Sequence, residues 1–165
     1  MVRLDARGVR PAVLALLGAV WLLFLPNAPY ILTDLVHLGV RPPVPLWYDL
    51  AVLLSAAGVG LLAGYVSLAD VHDVVARRWG GAVGWALAVV ALFLGAFGIY
   101  LGRVLRWNSW DVLAAPGGVA RSVLGPVLNP GAYPVAVVIT LVFGGMLTAG
   151  YVALRSIAAP PAEAR

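Results

Sequence analysis

Long apolar runs without alternation leave this chain few folds. Ala82 to Gly102 and Pro134 to Leu154 contain no charged residue at all, and Leu46 to Leu68 contains only Asp49. A helix rises about 1.5 Å per residue, so about 20 apolar residues cross the roughly 30 Å hydrocarbon core of a bilayer. Membrane strands would instead show apolar and polar residues alternating over about ten positions, and these runs do not alternate. Charged residues make up 11% of the chain, against about 25% in soluble domains. The expectation is an all-α membrane protein, a bundle of four transmembrane helices. It forms a single polytopic integral membrane domain over residues 1–165, with spans near 11–25, 46–68, 82–102 and 134–154.

The first of these runs is the least regular. Arg3, Arg7 and Arg10 precede Pro11, a residue suited to the first turn of a helix. Ala12 to Leu25 has the charge-then-apolar form of a leader, yet no small-residue cleavage site follows, so an uncleaved anchor is expected. Pro26-Asn27-Ala28-Pro29 then interrupts the helical pattern. A proline inside a helix removes one hydrogen bond and clashes with the preceding turn, so the helix either ends near Leu25 or continues kinked. In the next segment Tyr30, Thr33, Asp34 and His37 share one helical face, and Ile31, Leu32, Leu35, Val36 and Leu38 the other. Such a segment lies in the membrane interface or lines a cavity between helices.

Spans two and three carry small residues at helical spacing: Ala56, Gly60 and Gly64, then Ala91, Gly95, Gly98 and Gly102. Small faces let membrane helices approach closely. Asp70 to Gly81 reads as a polar connection, with Ser67 and Asp70 as a helix cap and first-turn acid, and Asp73 with Arg77 as a surface pair. Arg103 to Tyr133 is the longest connection, and Val119 to Leu128 within it reads as a short interfacial or re-entrant helix.

Function is constrained first by what is missing. The basic residues are scattered, so the net charge of +4 does not suggest a nucleic-acid partner. No cysteine is present, which excludes disulfides and thiolate chemistry. All eleven basic residues are arginine, a bias that GC-rich codon usage explains as well as any function. No nucleophile elbow, zinc-protease motif, P-loop or dinucleotide fingerprint is present. Whether the chain is an enzyme therefore stays open, and no cofactor is expected.

The unusual polar groups gather at one membrane side. They are Asn27, Tyr30, Thr33, Asp34 and His37 after span one, Trp47, Tyr48 and Asp49 opening span two, and Arg103, Arg106, Asn108 and Asp111 after span three. Basic residues favour the cytoplasmic side of membrane proteins. Arg3, Arg7, Arg10, Arg77, Arg78, Arg155 and Arg165 outnumber Arg41, Arg103, Arg106 and Arg121, so both termini are expected in the cytoplasm and the polar cluster at the outer face. Asp34, Asp49 and Asp111 near Arg103 and Arg106 suit an ion-pair network, because an unpaired charge beside hydrocarbon is costly. Forked arginine donors with Asn108 nearby also suit a phosphate. Asp34 and His37, at i,i+3, are the candidates for proton transfer. They supply two metal ligands where catalytic zinc usually takes three, and no metal site is expected. Trp47, Trp107 and Trp110 fit an aromatic belt.

Three motifs carry a family resemblance: Pro26-Asn27-Ala28-Pro29-Tyr30-Ile31-Leu32-Thr33-Asp34-Leu35-Val36-His37-Leu38, Pro45-Leu46-Trp47-Tyr48-Asp49, and Tyr100-Leu101-Gly102-Arg103 through Trp107-Asn108-Ser109-Trp110-Asp111. Together they resemble a bacterial multi-pass membrane family known only as domain of unknown function 1361, over nearly the whole chain. The resemblance implies an integral protein of the bacterial plasma membrane and no assigned activity or catalytic residue.

The leading functional expectation is a site at the outer face for a phosphorylated or lipid-linked head group. Arg103 and Arg106 would neutralise phosphate, Tyr30, Thr33 and Asn108 would orient it, and Asp49 and Asp111 would complete the polar set. The alternative is a non-enzymatic membrane scaffold or assembly subunit whose polar outer rim docks a membrane protein partner, with small-residue faces on spans two and three that favour helix association, self-association included. A small-solute transporter comes third, since the middles of spans two to four hold few polar groups. In every case membrane lipids are partners.

Overall fold

The computed structural model describes residues 11–39 and 43–158. Arg3, Arg7, Arg10, Arg41 and Arg165, which enter the orientation argument, lie outside the described residues. The described chain is helical throughout: α1 (Pro11–Phe24), α2 (Asn27–Tyr30), a 3-10 helix (Ile31–His37), α3 (Leu46–Trp79), α4 (Gly81–Arg103), α5 (Asp111–Ala114), α6 (Pro116–Leu128), a short 3-10 turn (Pro130–Ala132) and α7 (Pro134–Ala158). Four stretches are long and apolar enough to cross a membrane: Ala15–His37, Leu46–Trp79, Gly81–Arg103 and Pro134–Ala158. This is a multi-pass membrane protein.

The first stretch kinks rather than stops. Leu25 N–H still reaches the Trp21 carbonyl at 3.0 Å, and Ala28 N–H reaches the Leu25 carbonyl at 3.1 Å. Pro26 itself is helical, at φ −60° and ψ −23°. Beyond Tyr30 the chain tightens into seven residues of 3-10 helix, longer than the three or four residues usual for that form.

The small faces of α3 and α4 receive this hinge. A Cβ at Gly64 would lie 2.6 Å from the Ala28 methyl, and one at Gly60 would lie 2.9 Å from the Ala28 carbonyl oxygen. A Cβ at Gly98 would run into the Pro26 ring, and one at Gly102 would sit 3.0 Å from the Tyr30 ring. Two prolines and a short turn fit only because four glycines make room.

α3 is a single helix of 34 residues, roughly 50 Å long at about 1.5 Å per residue, longer than the hydrocarbon core is thick. The segment from Asp70 onward, expected as a connection, is the last part of this helix. Ser67 is therefore no cap. It lies mid-helix and accepts a 2.8 Å hydrogen bond from Trp21 Nε1, tying α1 to α3. Gly80 alone makes the turn into α4, at φ 99°, a region open to glycine and strained for other residues. α4 is the central helix, with Ala88, Ala91, Leu92, Ala96 and Ile99 all buried, packed between α3 and α7. Large apolar side chains such as Leu16, Val59, Val90 and Val138 point outward, as lipid contact requires.

Candidate functional site

The bundle has two polar ends. The first lies where the hinge meets the end of α4. Arg103, in the last turn of α4, donates from Nη1 to Asp34 Oδ1 at 2.9 Å and from Nη2 to the Thr33 carbonyl at 2.7 Å. Its guanidinium lies 5.7 Å from the Tyr30 ring centroid. The 3-10 segment thus offers ring, carbonyl and carboxylate to one cation, a clasp between the first and third membrane-crossing stretches. Thr33 Oγ1 donates back to the Tyr30 carbonyl at 2.6 Å.

After α4 the chain reverses. Arg106 adopts φ 61°, and Trp107 N–H closes onto the Leu101 carbonyl at 3.0 Å. Side chains of the following motif then tie down α1, the hinge and α6. Trp107 Nε1 donates to Ser122 Oγ at 3.0 Å, and its ring lies where a Cβ on Gly118 would be 2.8 Å away, so it seats α6. Ser109 Oγ donates to the Leu23 carbonyl at 3.1 Å and accepts from Asn27 Nδ2 at 3.5 Å, so it seats the hinge. Trp110 meets Phe24 edge to face, with ring centroids 5.6 Å apart. Asp111 Oδ2 accepts the Asn108 N–H at 2.6 Å, which closes the turn before α5.

The expected residues therefore divide. Tyr30, Thr33, Asp34 and Arg103 come together. No described hydrogen bond or ion pair joins Asp34 to His37, which is exposed. Asp111 serves the turn rather than an arginine, and Asp49 sits in the first turn of α3, where the helix dipole favours a carboxylate. The anticipated network of three carboxylates and two arginines reduces, among the described residues, to the one pair Arg103–Asp34. Arg106 and Asn108 are exposed, and no described residue pairs with the Arg106 guanidinium. The packing under the hinge is close: the space bounded by Leu25, Ala28, Pro29 and Gly64 amounts to about 10 Å³, room for one water.

The second polar end was largely invisible in the sequence. His72 on α3 is 2% exposed and Tyr151 on α7 is 0% exposed. The His72 Nδ1 lies 3.0 Å from the Tyr151 hydroxyl. Trp85 on α4 meets the His72 ring edge to face at 4.9 Å. Tyr65 donates to the Leu147 carbonyl at 2.8 Å. Beside this cluster Arg155 Nη2 bonds Asp73 Oδ1 at 2.9 Å, so the partner of Asp73 is Arg155 from another helix rather than Arg77 one turn on. A signal did exist: His72, Tyr65 and Tyr151 are polar groups inside apolar helices, and such groups need internal partners. Among the described residues no three His, Asp or Glu side chains gather as metal ligands.

No curated protein and no solved structure is significantly similar to this chain. A family model described as "Protein of unknown function (DUF1361)" matches residues 3–148, nearly the full length, and the chain belongs to that family.

Proposed function

We propose that this protein binds an anionic, lipid-linked head group at the membrane face carrying Arg106, in the plasma membrane of a bacterium, with both termini cytoplasmic. One observation carries the reading. Arg106 is exposed and has no described partner, yet it occupies a left-handed backbone position at φ 61°. A side chain there costs about 1–2 kcal/mol relative to the conformation it prefers, and glycine would avoid that cost. Strain of this kind collects where a side chain is needed for function. A forked guanidinium at a membrane surface suits phosphate above other ligands.

Arg103 takes a different part from the one the sequence suggested. Two of its five donors are engaged, by Asp34 and the Thr33 carbonyl, and the Asp34 carboxylate offsets its charge, so it shapes the face more than it neutralises a ligand. The scaffold alternative draws less support, because the hinge of the same chain fills the small faces of α3 and α4. The test is native mass spectrometry of protein purified in mild detergent, comparing the parent with Arg106→Gln and Arg106→Gly. Arg106→Gly is expected to gain about 1 kcal/mol of stability and to lose retained anionic lipid, as Arg106→Gln does. Unchanged retention in both variants refutes the proposal.

A further inference from the structure

An open groove of about 400 Å³ runs between α4, α6 and α7. Its floor is Val89, Phe93 and Phe97 of α4, its roof is Val123 and Val127 of α6, and Thr140 of α7 closes one side. Val89 to Phe97 covers roughly 12 Å along the helix at about 1.5 Å per residue, and this stretch lies in the interior of the Gly81–Arg103 span. The groove is therefore at hydrocarbon depth, and its volume falls within the range of about 300–1,000 Å³ typical of ligand pockets.

One further observation says what fits it, the charge at its roof. Arg106 and Arg121 immediately precede Trp107 and Ser122, which a hydrogen bond joins. Both are exposed, and Arg121 Nε reaches only the Gly117 carbonyl of its own helix, at 3.3 Å. No carboxylate among the described residues pairs with either. At about 100° per residue, Arg121 points away from Val123 and Val127, so α6 turns a cation outward and an apolar edge into the groove. The lining itself is wholly apolar, because Thr140 contributes no polar surface to it and its Oγ1 is buried out of reach.

We infer that this groove is the chain-binding slot of an anionic lipid: one acyl chain lies under α6 along Val89–Phe97 while Arg106 and Arg121 hold the acidic head. The inference rests on the head-group reading above and adds where the lipid enters and which helix retains it. Trp107 seated on Gly118 fixes α6 over α4, so the slot keeps its width without a ligand.

The test uses phosphatidylglycerol carrying a photoactivatable diazirine midway along one acyl chain, with phosphatidylcholine of identical chains as the comparison. Each is added to the purified full chain and crosslinked positions are mapped by peptide mass spectrometry. The expected result is phosphatidylglycerol label concentrated several-fold on Val89–Phe97 and Val123–Val127 over other lipid-facing residues such as Val20 and Val152. Val123→Trp, which fills the slot from a surface helix, should remove that excess while leaving the helical circular dichroism unchanged. Even labelling of all exposed faces, or an excess that survives Val123→Trp, overturns the slot. Equal labelling of the slot by phosphatidylcholine upholds the slot and overturns the head-group reading. Preferential retention of phosphatidylglycerol with label elsewhere does the reverse.

Discussion

The two ends of the bundle each hold an arginine–aspartate bond of 2.9 Å, but they use polarity in opposite ways. At the hinge end the polar residues are dense in sequence and half-exposed in space, and most of them bind backbone: Thr33, Leu23, Tyr30 and Asn108 all contribute main-chain groups. They fasten irregular chain that lacks regular helical bonds. At the other end the polar residues sit on regular helices, and His72 and Tyr151 are buried against each other. The difference is one of cost. Half-exposed groups can fall back on water, whereas a buried pair that loses one member leaves the other unsatisfied. Exposure leaves a polar group replaceable by water, and burial marks where a single substitution does most harm.

The largest test of that contrast is at Tyr151. Replacing it with alanine removes a fully buried ring packed against His72, Trp85 and Tyr65, and large-to-small changes of aromatic residues cost about 3–5 kcal/mol. Tyr151→Phe keeps the ring and strands His72 Nδ1, for about 1–3 kcal/mol. Both are read by equilibrium unfolding in mixed micelles. A Tyr151→Phe variant as stable as the parent would mean that the buried end tolerates an unpaired polar group and the contrast fails.

Next in size is the hinge itself. Gly98→Ala places a methyl against the Pro26 ring, and overpacking of this kind costs about 1–3 kcal/mol. Gly58→Ala is the control, because a Cβ there meets nothing within 4 Å and alanine favours a helix over glycine by about 1 kcal/mol. The two substitutions should move stability in opposite directions. If Gly98→Ala also stabilises, the hinge does not press on α4, and Pro26 and Pro29 are accommodated by mobility rather than by fit.

Those glycines show how much of the structure the sequence carried. Hydropathy and length were enough for four membrane-crossing helices, and four-residue spacing was enough to pick Gly60, Gly64, Gly98 and Gly102 as close-approach positions. What they approach was hidden, since periodicity reports a face and not its occupant. The polar cluster was legible as a place, and Tyr30, Thr33, Asp34 and Arg103 do converge. Its wiring was not. Asp34 and His37 still share a face in the 3-10 helix, where i and i+3 eclipse, but Arg103 from α4 claims Asp34 while His37 stays exposed. Asp70 to Gly81 reads as a loop in the sequence, with Asp73 paired to Arg77 on its surface. In a helix that continues to Trp79, His72 and Asp73 instead meet α4 and α7, and only tertiary packing decides that.

The smallest effects come from the two ion pairs, which the same distance makes look alike. All four side chains are substantially exposed, from 24% for Arg103 to 42% for Asp73, and exposed pairs contribute only about 0–1 kcal/mol. Asp34→Asn and Asp73→Asn should therefore each cost less than about 1 kcal/mol and lose that cost at high salt. Removing the arginines should separate them. Arg103→Gln gives up the Thr33 carbonyl and the Tyr30 ring along with Asp34, and neither of those contacts is screened as an ion pair is. Arg155→Gln gives up its one bond to Asp73. The expected order is a larger loss at Arg103, part of it persisting in salt, and a smaller, salt-sensitive loss at Arg155. Equal losses would show that the Thr33 carbonyl adds nothing. The clasp would then be an ordinary surface pair, and the hinge would be held by its fit against the glycines alone.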